Sequence, residues 1–203
     1  MATMHPEILC NYTPRTSASF GYDTRSAFCA SKEENDEFLA EILGEICELF
    51  PSEYIHIGGD EVDMSQWLRC PDCKALMTKN NMTNASELQQ YFMSRLSDIL
   101  ALHGKKPAVW NEAIDGGNLS LDTRVYGWEG VKECRQSAAR YKTVVMPGQY
   151  FYFDMKQSSR EPGHDWAAIF DWTKVYGVTP ASLGFTATES ANVIGLEGSF
   201  FSE

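Results

Sequence analysis

Two adjacent carboxylates, Asp60 and Glu61, follow a glycine pair in the run His56-Ile57-Gly58-Gly59-Asp60-Glu61. On a regular strand, neighbouring side chains point to opposite faces, so these two acids could not address one substrate. The glycines permit an abrupt change of backbone direction, which lets both carboxylates reach one pocket. Two carboxylates sharing a pocket push their pKa values apart, leaving one charged and one holding a proton for donation. A solvated Asp-Glu pair in a surface loop is the plain alternative, and the pair alone does not decide between them. A series of aromatic residues does. Trp110, Trp128, Tyr152, Trp166 and Phe201 follow or flank strand-like runs, with Glu112, Glu129, Asp154 and Glu203 near them. Flat aromatic faces stack on the C–H faces of sugar rings and form small apolar pockets, while carboxylates accept sugar hydroxyls. Any one of these aromatics could be ordinary core. Their recurrence beside an acid, unit after unit, points to carbohydrate.

The elements that must position these residues alternate between short apolar runs and longer amphipathic patterns. Ser31-Lys32-Glu33-Glu34 reads as a capping box. Behind it Phe38, Leu39, Ile42, Leu43, Ile46 and Leu49 recur at helical spacing until Pro51 stops the helix. A buried strand is expected at 54–57. A second helix is expected at 86–102, with Leu88, Tyr91, Phe92, Leu96, Ile99 and Leu100 inward and Gly104 as its stop. Strands are also expected at 108–110, 124–126, 143–146 and 192–194, and a weaker helix at 132–139. Strands alternating with helices imply parallel β/α units, here about five. Acids and aromatics after each strand are the habit of a (β/α)8 barrel, whose sites lie at the strands' C-terminal ends. A doubly wound sheet is the alternative, but the glycine-rich phosphate turn it often carries is missing. The expected fold is therefore an α/β TIM barrel present as an incomplete set of units, since a closed one takes roughly 250 residues.

Composition removes whole classes of function. Seventeen Lys and Arg against 28 Asp and Glu give a net charge of -11, which repels nucleic acid and anionic membrane surfaces. No apolar run approaches the ~18 residues of a spanning helix, and the N-terminus lacks the pattern of a signal peptide. A soluble acidic protein is expected. Sequons at Asn11, Asn81, Asn84 and Asn118 would matter only in a secreted eukaryotic protein, so the compartment stays open. Cys10, Cys29, Cys47 and Cys134 are scattered, whereas Cys70-Pro71-Asp72-Cys73 form a pair with no second pair at zinc-ligand spacing. That pair is expected at a loop or helix start without metal. No metal and no cofactor enter the expected chemistry.

The motifs together make the chain resemble the β-N-acetylhexosaminidases of glycoside hydrolase family 20. The matching stretches are His-Ile-Gly-Gly-Asp-Glu at 56–61, Trp-Asn-Glu at 110–112 and Val-Tyr-Gly-Trp-Glu-Gly at 125–130. Tyr-Phe-Asp at 152–154 and Phe-Ser-Glu at 201–203 complete the set. Order and spacing agree from about Pro6 onward. The resemblance implies hydrolysis of terminal GlcNAc or GalNAc by a substrate-assisted retaining route, an exception to the usual two-carboxylate scheme. It makes Glu61 the general acid, with the substrate's 2-acetamido oxygen as nucleophile. Asp60 would hold the acetamido N–H, and Tyr152 its carbonyl oxygen. Trp110 and Trp128 would wall the acetamide pocket, joined by Trp166, while Asp154 and Glu203 would accept outer hydroxyls. His56 would support Asp60. The parent would be secreted, periplasmic or lysosomal.

Two departures stand out. Phe201 takes the place of a family tryptophan, keeping a stacking face but losing area and the indole N–H. The family's first barrel strands, with a sugar-binding Arg and a Pro-Gly-His segment, have no counterpart. Residues 1–203 are thus expected to be an excerpt of a catalytic barrel whose first strands are absent. Two rival readings stay open: a double-displacement glycosidase using Glu112, Asp154 or Glu203 as nucleophile, and a non-catalytic sugar-binding remnant.

Overall fold

The computed structural model describes residues 5–10, 27–117 and 119–201. They form two compact units, one made of the chain up to Pro107 with Glu112–Ser120, the other of Ala108–Asn111 and the chain from Leu121 on.

In the first unit a 3-10 turn, Pro6–Ile8, precedes α1 (Glu33–Leu49). Glu33, Glu34 and Asp36 in the first turn of α1 complement the positive end of its dipole. The expected capping box is absent: Lys32 is the N-cap and makes no side-chain cap. The Ser31 hydroxyl instead lies 3.3 Å from Cys29 Sγ and 3.5 Å from Cys73 Sγ. Sulfur neighbours have taken the oxygen that a cap would use. Pro51 ends α1 as expected, because it holds Phe50 extended and offers no N–H. The strand β1 (Tyr54–His56) follows.

Two short helices, α2 (Ser65–Arg69) and α3 (Pro71–Lys79), come next; neither has a counterpart in the periodicity reading. At five and nine residues they are too short for a 3.6 period to stand out. The helix α4 (Ala85–Leu102) is capped by Asn84, whose side chain accepts the Glu87 N–H. It buries Leu88, Phe92, Leu96 and Leu100 as expected, together with Gln89 and Met93. Gly104, at φ 68°, ends it in the left-handed region that costs glycine nothing. The Arg95 guanidinium joins α4 to α1 through the Asp36 carboxylate and also donates to Ala30 O at 3.0 Å. The strand β2 (Lys106–Trp110) starts here, with Lys106 N–H donating to Glu53 O at 2.9 Å.

The second unit holds the rest of β2, then β3 (Arg124–Gly127), α5 (Val131–Ala138) and β4 (Lys142–Val145). Three single-turn helices, α6 (Gly148–Phe151), α7 (Trp172–Tyr176) and α8 (Ala187–Ser190), precede β5 (Val193–Leu196). All five expected strands are therefore present. Strand order follows chain order, β1-β2-β3-β4-β5, and β2 through β5 pair in parallel. A doubly wound sheet would reverse its order at a switch point, and this sheet has no reversal. Val109, Val125 and Val145 are completely buried, the behaviour of parallel strands covered on both faces.

The helix α5 seats on β3 through a close approach. Cys134 Sγ–H donates to Gly127 O at 3.1 Å, and burial pushes this thiol up to about 12, so it stays protonated and a donor. A Cβ at position 127 would lie 2.6 Å from Cys134 Sγ and 3.0 Å from its Cα. Replacement of Gly127 by Ala is expected to destabilise the protein by about 1–3 kcal/mol through overpacking. The denaturant midpoint should fall at unchanged m. The double variant with Cys134→Ala should lose less than the sum of the single losses, because the two side chains contend for one space.

Candidate active site

After β1 the chain turns sharply. Gly58 and Gly59 sit at φ 77° and 105°, and Glu61 at φ 50° is one of two described non-glycine residues in the left-handed region. A Cβ on Gly59 would meet Ala113 Cβ at 2.7 Å, so glycine is required there for both conformation and space. The glycine pair expected to free Asp60 and Glu61 from strand geometry does so.

Three side chains hold this turn. Gln89 Nε2 on α4 donates to Gly59 O at 2.7 Å, Glu61 N–H donates to Glu112 Oε1 at 2.9 Å, and Gly58 N–H donates to His56 Nδ1 at 3.1 Å. His56 thus meets the turn through Gly58. Desolvation around the ring lowers its pKa from 6.5 to about 4, although the residue as a whole is exposed. The ring is neutral at physiological pH, which keeps Nδ1 an acceptor.

The second unit gathers the aromatic residues. Tyr152 is nearly buried at 6% exposure, with ring centroids 6.3 Å from Trp128, 5.4 Å from Trp166 and 5.3 Å from Phe201. Trp128 and Trp166 meet edge to face at 5.9 Å. Trp110 packs against the same cluster as Trp128 and stands edge-on to Tyr126 at 6.1 Å. The register carries this arrangement: Trp110 pairs with Tyr126, and Gly127 with Val145, so successive strands end level. Beyond the strands, Gly148 N–H donates to Trp128 O at 2.8 Å, and Ser199 N–H to Phe151 O at 2.8 Å. A cavity of about 560 Å³ opens beside Asp154 and Phe201. Asp154 Oδ1 is buried and has no hydrogen-bond partner among the described residues.

Of the residues singled out in the sequence, the structure brings Trp110, Trp128, Tyr152, Trp166 and Phe201 into one cluster and sets Asp154 at the cavity beside it. Asp60 and Glu61 share the anchored turn of the other unit. Glu203, like the sequons at Asn11 and Asn118, lies outside the described residues. Two positioning residues escaped the sequence reading. Gln89 occupies an apolar face of α4, and a buried polar residue at such a place is the signal that was available. Asn111, only 3% exposed, accepts the Trp128 N–H at 3.0 Å and donates to the Glu129 carboxylate, locking the ends of β2 and β3 together.

A parallel sheet in chain order, its strands alternating with helices, defines a partial (β/α)8 barrel. The chain matches the glycosyl hydrolase family 20 catalytic domain along residues 1–203, and it belongs to that family. It is 36% identical over 146 residues to a beta-hexosaminidase of Vibrio furnissii, covering 70% of this chain and 24% of that protein. A Porphyromonas gingivalis beta-hexosaminidase is 29% identical over 207 residues, covering 98% of this chain and 26% of its own length. A GH20 exo beta-N-acetylglucosaminidase of Vibrio harveyi, solved in complex with N-acetylglucosamine, superposes with a TM-score of 0.83 at 30% identity. That match covers 98% of this chain and 32% of the Vibrio chain. The chain therefore spans about a quarter of the length of these two curated relatives. No helix among the described residues is long and apolar enough to cross a membrane.

Two outcomes test the anchoring. Asn111→Leu leaves the Trp128 N–H unpaired and should cost about 1–3 kcal/mol, with altered tryptophan fluorescence marking looser rings. Unfolded His56 binds a proton near 6.5 and the folded residue only near 4, so stability is complete above 6.5 and erodes as pH falls through that window. His56→Gln should flatten the pH dependence of the unfolding midpoint between these values.

Proposed function

We propose that the protein containing this chain removes terminal β-linked N-acetylhexosamine from glycans, and that these residues supply the later β/α units of its catalytic barrel. In this reading the Glu61 carboxyl protonates the departing glycosidic oxygen while the substrate's acetamido oxygen bonds to the anomeric carbon. The C–O bond to the leaving group breaks as an oxazolinium ion forms. Water then attacks that carbon, Glu61 takes its proton, and the acetamide reopens with retention. Asp60 orients the acetamido N–H and balances its developing positive charge. Tyr152 hydrogen-bonds the acetamido oxygen, and Trp110, Trp128 and Trp166 enclose the methyl group. Phe201 offers a stacking face, while Asp154 and Glu203 accept outer hydroxyls. The unpartnered Asp154 Oδ1 supports its part in this reading, being a buried acceptor that no donor among the described residues satisfies.

One observation carries the choice of mechanism. The Glu112 carboxylate, a possible covalent nucleophile by sequence, accepts the Glu61 N–H and so serves the backbone that carries the acid. With Oε1 engaged in that bond Glu112 is less available as a nucleophile, which supports the substrate's own acetamide in that role.

Glu61→Gln in the full-length protein should lower turnover of an aryl N-acetylglucosaminide by about 10²–10⁴-fold with little change in binding. A substrate with a strongly acidic leaving phenol should suffer less, since it needs no proton. Equal loss on both would remove Glu61 from the acid role, and no loss on either would favour a sugar-binding remnant. Asp60→Ala should slow both substrates and weaken inhibition by a thiazoline mimic of the oxazolinium. Efficient cleavage of the 2-hydroxy analogue would instead favour a covalent carboxylate mechanism.

A further inference from the structure

Four cysteines outside this chemistry converge in the first unit. Cys10, Cys29, Cys70 and Cys73 are all buried, at 4%, 1%, 2% and 0% exposure, and their sulfurs all lie within 4.8 Å of one another. The view of Cys10 and Cys29 as scattered is thereby corrected: the Cys70-Cys73 pair gains its missing half from two single residues separated in sequence. Cys29 Sγ stands 4.0 Å from Cys70 Sγ and 3.7 Å from Cys73 Sγ. A disulfide requires about 2.05 Å and would select one of these partners. A tetrahedral zinc with Zn–S bonds of about 2.3 Å spaces its sulfurs about 3.8 Å apart, which the two distances bracket.

We propose that Cys10, Cys29, Cys70 and Cys73 bind one zinc ion in a closed structural site. The surrounding chain is built to deliver these ligands. Cys70 is the N-cap of α3 and Cys73 lies in its first turn, so the positive end of the helix dipole favours both thiolates. Cys10 and Cys29 sit on irregular chain that no ladder supports. The Cys29 N–H donates to Ile8 O at 2.8 Å, and the buried Asn35 Nδ2 donates to Ile8 O at 2.9 Å and to Cys29 O at 3.0 Å. These bonds hold the two segments side by side with both sulfurs facing α3. Four sulfur ligands leave no position for water or substrate, which marks a structural and not a catalytic ion. Sulfurs this close suit one ion; a polynuclear iron–sulfur core would spread its ligands wider. The ion ties the chain before α1 to the junction of α2 and α3, whose Cys70 follows Glu61 by nine residues. It thus fastens the far side of the loop that begins with the acid turn.

Elemental analysis of the full-length protein, purified without chelator, should find one zinc per chain. Cobalt substitution of the metal-stripped protein should give thiolate-to-cobalt charge-transfer and intense tetrahedral d–d bands. Stripping should lower the thermal midpoint, and added zinc should restore it. Cys73→Ser should lose stoichiometric zinc, whereas Cys47→Ser, at a buried cysteine away from the cluster, should keep it. If the cluster variants fail to fold, cobalt titration of the unaltered protein still decides. Zinc far below one per chain after refolding with zinc, with no sulfur-to-cobalt band, would overturn the proposal. A disulfide among these four residues by mass spectrometry, or iron in place of zinc, would do the same.

Discussion

Three of the four residues from Gly58 to Glu61 have positive φ, and the first unit is organised around holding that conformation. Neither a strand nor a helix can continue through such backbone, so the turn has no ladder to stabilise it. A non-glycine residue in the left-handed region costs of order 1–3 kcal/mol. A neutral hydrogen bond returns about 1 kcal/mol and one to a carboxylate about 1.5–3 kcal/mol. The Gln89–Gly59 and Glu61–Glu112 bonds together are therefore the right size to offset the strain at Glu61. This explains why α4 carries a buried glutamine on an apolar face, and why small Ala113 lies against Gly59. The backbone that carries Asp60 and Glu61 is thus fixed by contacts within the first unit.

The second unit solves its positioning problem through register. In a parallel ladder the pairing of β2 with β3 and of β3 with β4 decides which residues stand level at the strand ends. Asn111 then couples two of those ends directly, binding the Trp128 backbone and the Glu129 carboxylate. The aromatic cluster grades from rigid to open. Tyr152 is nearly buried, while Trp166 and Phe201 are 53% and 54% exposed. The buried phenol is fixed by packing, whereas the half-exposed rings keep one face open to solvent.

The cysteine cluster belongs to a third kind of support. Cys10 and Cys29 are buried outside the described helices and strands, and burial of such backbone is costly unless its polar groups are paired. Asn35, the Cys29 N–H and the Arg95 contact to Ala30 O satisfy several of them. The sulfur ligands extend the same pinning to α3. Position by hydrogen bond, by ladder register and by sulfur cross-link thus serve different stretches of one catalytic domain.

Much of this was legible in the sequence because it is local. Alternating hydrophobic runs marked all five strands and the helices α1, α4 and α5, since a 2- or 3.6-residue period is visible within a dozen residues. Gly58-Gly59 announced a break at the acids, because only glycine accepts such φ values without cost. The family resemblance rested on residues whose identities the chemistry demands. What the sequence withheld depends on residues far apart in the chain. The Ser31 capping box was legible yet wrong, because the sulfur of Cys73, 42 residues away, competed for the hydroxyl. The bond between Glu112 and the Glu61 N–H, 51 residues apart, could not be read from either residue's neighbours. Cys10 and Cys29 looked scattered, because no spacing rule joins two single cysteines on irregular chain to a pair at a helix start. Local backbone preference is written residue by residue, whereas the partners of a buried polar or sulfur atom are chosen only when tertiary packing excludes water and leaves the nearest group to meet it.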